Sequence, residues 1–385
     1  KRMAEAVEKS LLDLIDFGAV ITGHQYSKPL EKMRVLEAGH PLPDESGIAA
    51  TKELMNIISG VDNKTMVLFL LSGGASAMLV SPVEEITLED KVKTTDILLR
   101  CGADITEINR VRKKLSLVKG GGFLKKARPA FVETLILSDV AGDRIDIIGS
   151  APTVPESSDF NYALMVLSKY DIVEKTPGRV LNYLRKMRAA GTGPKGESFH
   201  ADFHAAVIGN NKTAGKGAEI AAAAMGFKTE VSSREVNGEA RKEGEMLAAY
   251  AIARKSEIRE NEKICVISGG ETTVKVKGTG RGGRNMELAL SFALRMEGEK
   301  GVTLLSAGTD GFDGPTGAAG ATADGETAKI ARMAGANPVE FLENNDSYGF
   351  FEKFGGLLMT GATGTNVRDI QIMIIEGDEK SDNFH

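Results

Sequence analysis

The chain has 385 residues, 42% of them hydrophobic and 26% charged, with a formal net charge of -5. That length exceeds one ordinary core, so two domains are expected, and the acidic balance argues against a general nucleic-acid binder. No run approaches the ~20 apolar residues that span a bilayer, no signal peptide is visible at the first residue, and the two cysteines, Cys101 and Cys265, make neither a disulfide framework nor a zinc site. A soluble protein with no membrane and no nucleic-acid partner is expected, cytoplasmic by default.

In chain order, Lys1–Phe17 is predicted helical, with Met3, Val7, Leu11, Leu12 and Ile15 on one face. It opens without a cap and without a preceding strand, so the expectation is that residues precede Lys1. Glu37–Gly47 is a polar loop in which Ser46 or Asp44 caps the next helix. His40 there is either a local loop histidine or a substrate contact. Thr65–Leu71 is a fully apolar strand, suited to a parallel sheet covered on both faces. It runs into Ser72-Gly73-Gly74-Ala75-Ser76 and a short helix, the arrangement that binds phosphate. A plain turn needs a glycine but not this whole set.

Thr95–Leu99 and Ile105–Leu117 read as helix, with Arg110, Arg112, Lys113, Lys114 and Lys119 as a basic face ending in Gly120-Gly121-Gly122. That face is either solvated or turned to an anion. Thr134–Leu137 is a strand ending at Ser138-Asp139, and acidic residues at such a strand end commonly hold a metal or ligand. Gly149–Glu156 is a rigid loop, and 160–190 is helical. Gly191–Ser198 is the clearest linker. It divides the chain into an N-terminal Rossmann-like α/β domain, 1–198, and a C-terminal α/β domain, 199–385.

Beyond the linker come a strand at Ala205–Ile208 and a helix at Thr213–Met225. Gly209–Lys216 misses the P-loop pattern: its second glycine is one place late, and no Ser or Thr follows Lys216. Glu239–Ile258 is helical. Then Ile264–Ile267 reads as a buried strand, Gly269-Gly270 as a turn, and Thr272–Lys277 as a half-exposed strand. Gly278–Arg284 puts two guanidiniums in a nearly bare loop before a helix starting near Asn285. Arginine forks match carboxylate and phosphate oxygens, and a helix N-terminus adds free N–H groups, so the loop is a candidate anion site. Gly278, Gly280 and Gly283 fit GxGxxG. The alternating strand before them, and the lack of an acidic residue closing a strand about 20 residues on, speak against a dinucleotide site. Val302–Leu305 leads to Asp310 and Asp313, which either ligate Mg²⁺ or shape turns. Ala323–Ala334 is helical, Leu357–Asp369 is a loop of small donors, and Ile370–Ile375 is the last strand. With no GxSxG elbow and no HExxH, what recurs is glycine-, hydroxyl- and Arg/Lys/Asp-rich loops at strand ends, the inventory of phosphoryl transfer.

EAGHPLPDESG (37–47), LLSGGASAML (70–79), LSDVAGD (137–143), GSAPTVPE (149–156), GGETTVKVKGTGRGGRNMELAL (269–290), GTDGFDGPTGAAGA (308–321) and TGATGTNVRD (360–369) together resemble the glycerate 2-kinase family. Its first half is a DUF4147 domain, and its second contains a MOFRL region, here about 260–375. The resemblance implies two α/β domains, each a largely parallel or mixed sheet flanked by helices, with the active site in the cleft between them. It implies transfer from ATP, with Mg²⁺, to the 2-hydroxyl of D-glycerate. The family's important arginine in GRGGRNxE falls on Arg281 or Arg284. Its functional lysine, in a GKA motif ahead of the helix with Met3, lies before this chain starts, and omission of that segment is the expectation. On this footing Arg281 and Arg284 are the expected catalytic residues, clamping the glycerate carboxylate or the moving phosphate. His40, Asn285, Glu287 and Arg281 are expected at the substrate, and Ser72, Gly73, Gly74, Ser76, Lys119 and Gly120 at nucleotide phosphates. Asp139, Asp310 and Asp313 are expected at the metal. A homodimer stays open. The alternatives are an NAD(P)H-dependent hydroxypyruvate reductase, a label some family members carry, and a non-catalytic small-acid or nucleotide-binding protein.

Overall fold

The structure, a computed structural model, describes residues 1–24, 28–191, 202–260 and 262–377. The chain divides into two units, 1–208 and 209–385. The first contains α1 (Arg2–Leu11), β1 (Gly18–Gly23), β2 (Met33–Ala38), α2 (Glu45–Ile58), β3 (Met66–Leu71), α3 (Ala75–Met78), α4 (Leu88–Arg100), α5 (Ile105–Lys114), α6 (Gly122–Ala127), β4 (Phe131–Leu137), α7 (Phe160–Lys169), α8 (Gly178–Ala189) and β5 (Phe203–Gly209). Capping residues set many of these boundaries. Asp44 accepts Gly47 N at the start of α2, and Ser46 donates to the same carboxylate, so the cap is Asp44. Thr87 and Asp104 form capping boxes with Asp90 and Glu107 on α4 and α5.

The apolar run of β3 pairs parallel to β4, in a sheet of order β3-β4-β5. Phe69 of β3 packs on Phe123 of α6, with ring centroids 4.5 Å apart. β1 and β2 form a separate parallel pair that the short run GAVITG did not announce. α4, α5, α7 and α8 bury Leu98, Val111, Leu167 and Leu184 in a helical core. The predicted helical stretch 160–190 is thus two helices, with Pro177 at the N-cap of α8. Most of the predicted linker, residues 192–198, lies outside the described residues. β5 adds Phe203–Ile208 to the first unit's sheet, so the boundary falls after 208 rather than at 198.

The second unit contains α9 (Asn211–Ala224), β6 (Lys228–Val231), β7 (Val236–Glu239), α10 (Ala240–Lys255), β8 (Lys263–Thr273), α11 (Arg284–Arg295), β9 (Val302–Gly308), β10 (Gly320–Asp324), α12 (Thr327–Met333), α13 (Pro338–Glu343), α14 (Ser347–Phe354), β11 (Leu357–Leu358) and β12 (Asp369–Glu376). Its mixed sheet has the order β11-β10-β9-β12-β8-β6, with β7 also on β8. The predicted turn at Gly269-Gly270 is absent, since β8 runs straight through both residues. The glycines serve close approach instead. A Cβ at Gly269 would collide with the Asn211 side chain, and one at Gly270 with the backbone of Val236. The predicted helix 323–334 loses its start to β10, where Ala323 pairs with Leu304 of β9; sheet pairing overrides alanine's helical preference. Helix α11 is buried on nearly every side, from Asn285 to Ala293. α10 reaches it through Gly244, where a Cβ would strike the carbonyl of Leu288. A helix so enclosed can carry polar groups only if each finds a partner inside.

Candidate active site

In the second unit the arginine loop lies against residues 344–348. Lys277 N and Gly278 N donate to Asn345 Oδ1 at 2.8 and 3.0 Å, and Thr279 N donates to Asn344 Oδ1 at 3.0 Å. Gly280 N donates to the Asn344 carbonyl at 2.9 Å, and Arg281 N to Asp346 Oδ1 at 3.0 Å. A Cβ on Gly278, Gly280, Gly282 or Gly283 would run into Asn344, Asp346, Ser347 or Asp313. The GxGxxG spacing therefore lets two protein segments touch, and the donors from Lys277 to Arg281 are consumed within the protein.

The free N–H groups expected at the start of α11 are also taken. The Asp313 carboxylate accepts Asn285 N at 3.0 Å and Met286 N at 2.7 Å, and Glu287 N donates to the Gly283 carbonyl. Asp313 is 2% exposed, and burial pushes its carboxyl up to about 6 against those N–H groups. This expected metal ligand is thus the cap of α11. Asn285 and Glu287 are buried as well. Asn285 Oδ1 accepts the Ser306 hydroxyl at 2.7 Å, while Glu287 accepts Arg241 Nε and Asn345 Nδ2, both at 2.9 Å. Glu287 ties the helix to the 344–348 turn, and Asn285 ties it to β9.

The two arginines differ. The Arg284 side chain is 34% exposed, and its fork grips Asp369, itself buried, at 2.6 and 2.9 Å, with Glu271 at 3.1 Å. The Arg281 side chain is 62% exposed, lies 4.5 Å over the Tyr348 ring and meets Glu352 only at 3.7 Å. Arg281 is thus held by stacking with its fork turned outward, whereas Arg284 is largely committed. Asp310 Oδ1 accepts Phe312 N, and the Asp310 carbonyl accepts Thr363 N, so the loop of small donors docks beside it.

In the first unit the structure gathers more than expected. α3 is only one turn long, so its dipole adds little. Cationic side chains supply the charge instead. The Ser76 hydroxyl accepts from Arg112 Nη2 at 2.6 Å and Lys119 Nζ at 3.1 Å, and meets the Ser150 hydroxyl at 3.0 Å. Lys119 Nζ also donates to the Ser76 carbonyl at 2.8 Å, and Ser150 donates to Asn109 Oδ1. Burial pushes Lys119 well below the usual lysine range, with the positive charges of Lys91 and Arg112 adding to the shift. Gly120 takes a φ of +58°, and its N–H donates to the Ser150 carbonyl, which docks the 148–156 loop here. His40 is exposed and edges Gly74: a Cβ there would sit 3.0 Å from the imidazole Cδ2. His40, the Ser-Gly-Gly loop, Ser76 and Lys119 therefore converge. Asp139 follows β4, half-buried.

The single basic face expected on α5 breaks up. Arg110 lies over the Tyr162 ring, Lys113 pairs with Glu156, and Lys114 caps the Ser158 carbonyl. Only Arg112 and Lys119 turn to Ser76. Lys91 went unrecognised in the sequence. It is buried on α4, its Nζ has no hydrogen-bond partner among the described residues, and burial and then Arg112 push it down to about 7. Its position in register with buried Thr94 and Leu98 was the available signal.

Two α/β units, with buried cations at a Ser-Gly-Gly loop in one and a pinned arginine pair in the other, define an α/β phosphotransferase. Residues 1–185 match a domain of unknown function, DUF4147, and residues 264–369 match the MOFRL family. A D-glycerate 2-kinase of Thermotoga maritima is 44% identical over 376 residues, 97% of this chain and 88% of that protein. A glycerate 2-kinase of Pyrococcus horikoshii is 39% identical over 383 residues, 97% of this chain and 84% of that protein. An Agrobacterium vitis protein, provisionally named a hydroxypyruvate reductase, is 35% identical over 376 residues, 97% of this chain and 84% of its own. The crystal structure of the Thermotoga maritima glycerate kinase superposes with a TM-score of 0.88 at 44% identity, covering 97% of this chain and 88% of that one. The chain belongs to the glycerate 2-kinase family.

Proposed function

We propose that this chain transfers the γ-phosphoryl group of ATP to the 2-hydroxyl of D-glycerate, releasing ADP and 2-phosphoglycerate. The observation that carries the reading is the Ser76 hydroxyl held by Arg112 and Lys119 beside the Ser-Gly-Gly loop, in a chain so like D-glycerate 2-kinases along its length. Phosphoryl transfer asks the protein for positioning and positive charge rather than covalent chemistry. Ser72, Gly73, Gly74, Ser76, Lys119 and Gly120 take the nucleotide phosphates, and His40 lies beside them on the substrate side. Arg281, the outward fork, meets the glycerate carboxylate or the moving phosphoryl group. Arg284, held by Asp369, orders the loop that carries it. Asn285 and Glu287 support that loop from the buried side.

The donor set fits Mg²⁺ as the nucleotide's own ion rather than as a caged one. Among the described residues no three His, Cys, Asp or Glu side chains gather, and Asp313 spends its oxygens on α11. Mg²⁺ in kinases is commonly held by one or two carboxylates plus substrate phosphates, and it neutralises charge on them; Asp310 in the second unit or Asp139 in the first is the carboxylate assigned to it. The thiols of Cys101 and Cys265 are free, and no helix among the described residues is long and apolar enough to cross a membrane; both support a cytoplasmic enzyme. Release of ADP on mixing the protein with ATP, Mg²⁺ and D-glycerate tests the reading, and no release above the glycerate-free rate overturns it. The reductase alternative finds the amides of Gly278 to Arg281 already consumed, and NADH oxidation with hydroxypyruvate is its own assay.

A further inference from the structure

The basic cluster at Ser76 contains more charge than the chain itself neutralises. Lys91 comes from α4, Arg112 from α5, and Lys119 from the segment before α6. The charge that acts on Lys91 is Arg112, and those that act on Lys119 are Lys91 and Arg112, all positive. Glu156, which lies against Gly120, is taken by Lys113 at 2.9 Å. Ser76, Ser150 and Asn109, which hydrogen-bond within the cluster, do not titrate near neutrality. Two donors inside the cluster, Lys91 Nζ and Arg112 Nε, are buried without a hydrogen-bond partner among the described residues. A buried cation without counter-charge or acceptor is costly, and buried polar groups nearly always find partners. Arg112 and Lys119 on the Ser76 hydroxyl, with buried Lys91 close enough to Lys119 for its charge to act on it, are the complement of a tetrahedral oxyanion with several unshared oxygens.

We propose that Lys91, Arg112 and Lys119 form one phosphate subsite around Ser76, and that Lys91 is a direct ligand of a nucleotide phosphoryl group bound there. The assignment rests on the reading that nucleotide phosphates occupy the Ser72–Ser76 loop. It adds a ligand from α4, an element outside the glycine-rich loops. It also links binding to proton uptake. Lys91 is largely neutral at pH 8, and a phosphate dianion in contact with it favours the ammonium form. Binding therefore draws close to one proton from solution into Lys91, with any from Lys119 in addition.

Calorimetric titration of the full chain with ATP at pH 8, in two buffers of different ionisation enthalpy, measures that uptake directly. Wild type is expected to take up a proton. Lys91→Met is expected to take up about one fewer and to bind ATP about 10- to 100-fold more weakly, the loss of one charge-assisted hydrogen bond, while retaining its melting temperature. A Lys91→Met protein that binds ATP as wild type does, with the same uptake, overturns the assignment and makes Lys91 a neutral structural amine. If Lys91→Met fails to fold, Lys91→Gln is compared with wild type in the same way: about one proton less taken up supports the assignment, and unchanged uptake overturns it. Wild type that binds neither ATP nor tripolyphosphate refutes the underlying nucleotide-site reading instead, a distinct result.

Discussion

Asp313 offers a quantitative check on how the arginine loop is held. Its carboxylate caps α11 by accepting Asn285 N and Met286 N, but burial, and to a smaller degree Asp369, push its titration up to about 6 from an ordinary value near 3.8. The folded chain therefore holds this proton more tightly than the unfolded chain. Below the ordinary value both states are protonated, and the stabilising effect of protonation is fully present. It is lost as pH rises through 6, where the buried carboxylate must ionise. Between pH 7.5 and pH 5 the folded group passes one unit below its titration point while the unfolded group stays ionised, a gain of about 1.4 kcal/mol at pH 5. Asp313→Asn removes the titration and leaves the rest of the protein's pH response in place. Urea unfolding of both proteins at pH 5 and 7.5 isolates the term. The wild type should gain about 1.4 kcal/mol on the variant as the pH falls. The constant offset between them, which reflects the altered cap, is not the test. A difference that stays flat, or that moves the other way, refutes the placement of Asp313 as a buried, burial-shifted cap.

Other substitutions separate the two arginines and the loop glycines. Arg281→Lys should lower kcat/KM for D-glycerate at least tenfold with an unchanged melting temperature, because its side chain is exposed and only its fork is altered; normal turnover removes Arg281 from substrate contact. Arg284→Lys should lower both activity and stability, the latter by about 1–3 kcal/mol, because buried Asp369 loses a bidentate partner; denaturant midpoints decide, and a loss of activity alone transfers Arg284 to direct catalysis. Gly278→Ala should cost about 1–3 kcal/mol, since its Cβ meets the Asn344 backbone; calorimetry reads the shift, and an unchanged transition means that the loop does not pack there. Chelation of Mg²⁺ by EDTA should abolish ADP release and leave the melting temperature in place, as expected of an ion that arrives with the nucleotide; a marked fall in melting temperature indicates a resident structural metal.

Some parts of this protein were legible locally. The apolar run before Ser72 reads as a strand because it is unbroken and of strand length, although in β3 only Leu71 is fully buried and Met66 is exposed, and Asp44 reads as a helix start because capping is local hydrogen bonding. The turn after β3 was legible for a related reason, since Ser72-Gly73-Gly74 announces a tight strand-to-helix connection in residue type. The GxGxxG spacing was not. Glycine marks a place where something comes close, and only the fold shows that the visitor is Asn344–Ser347 rather than a pyrophosphate. Asn285 and Glu287 stand next to Arg284 in sequence, yet α11 turns them into the interior.

By itself the sequence determined the α/β class, the order of most strands and helices, and the family, because periodicity, caps and contiguous motifs are written along the chain. Tertiary structure alone decided which cations lose water and which keep it. Lys91 and Lys119 are buried, Lys119 against Ser76, while Arg281 stays outside, because burial depends on which distant helices pack together, and desolvation is what weakens a lysine's hold on its proton.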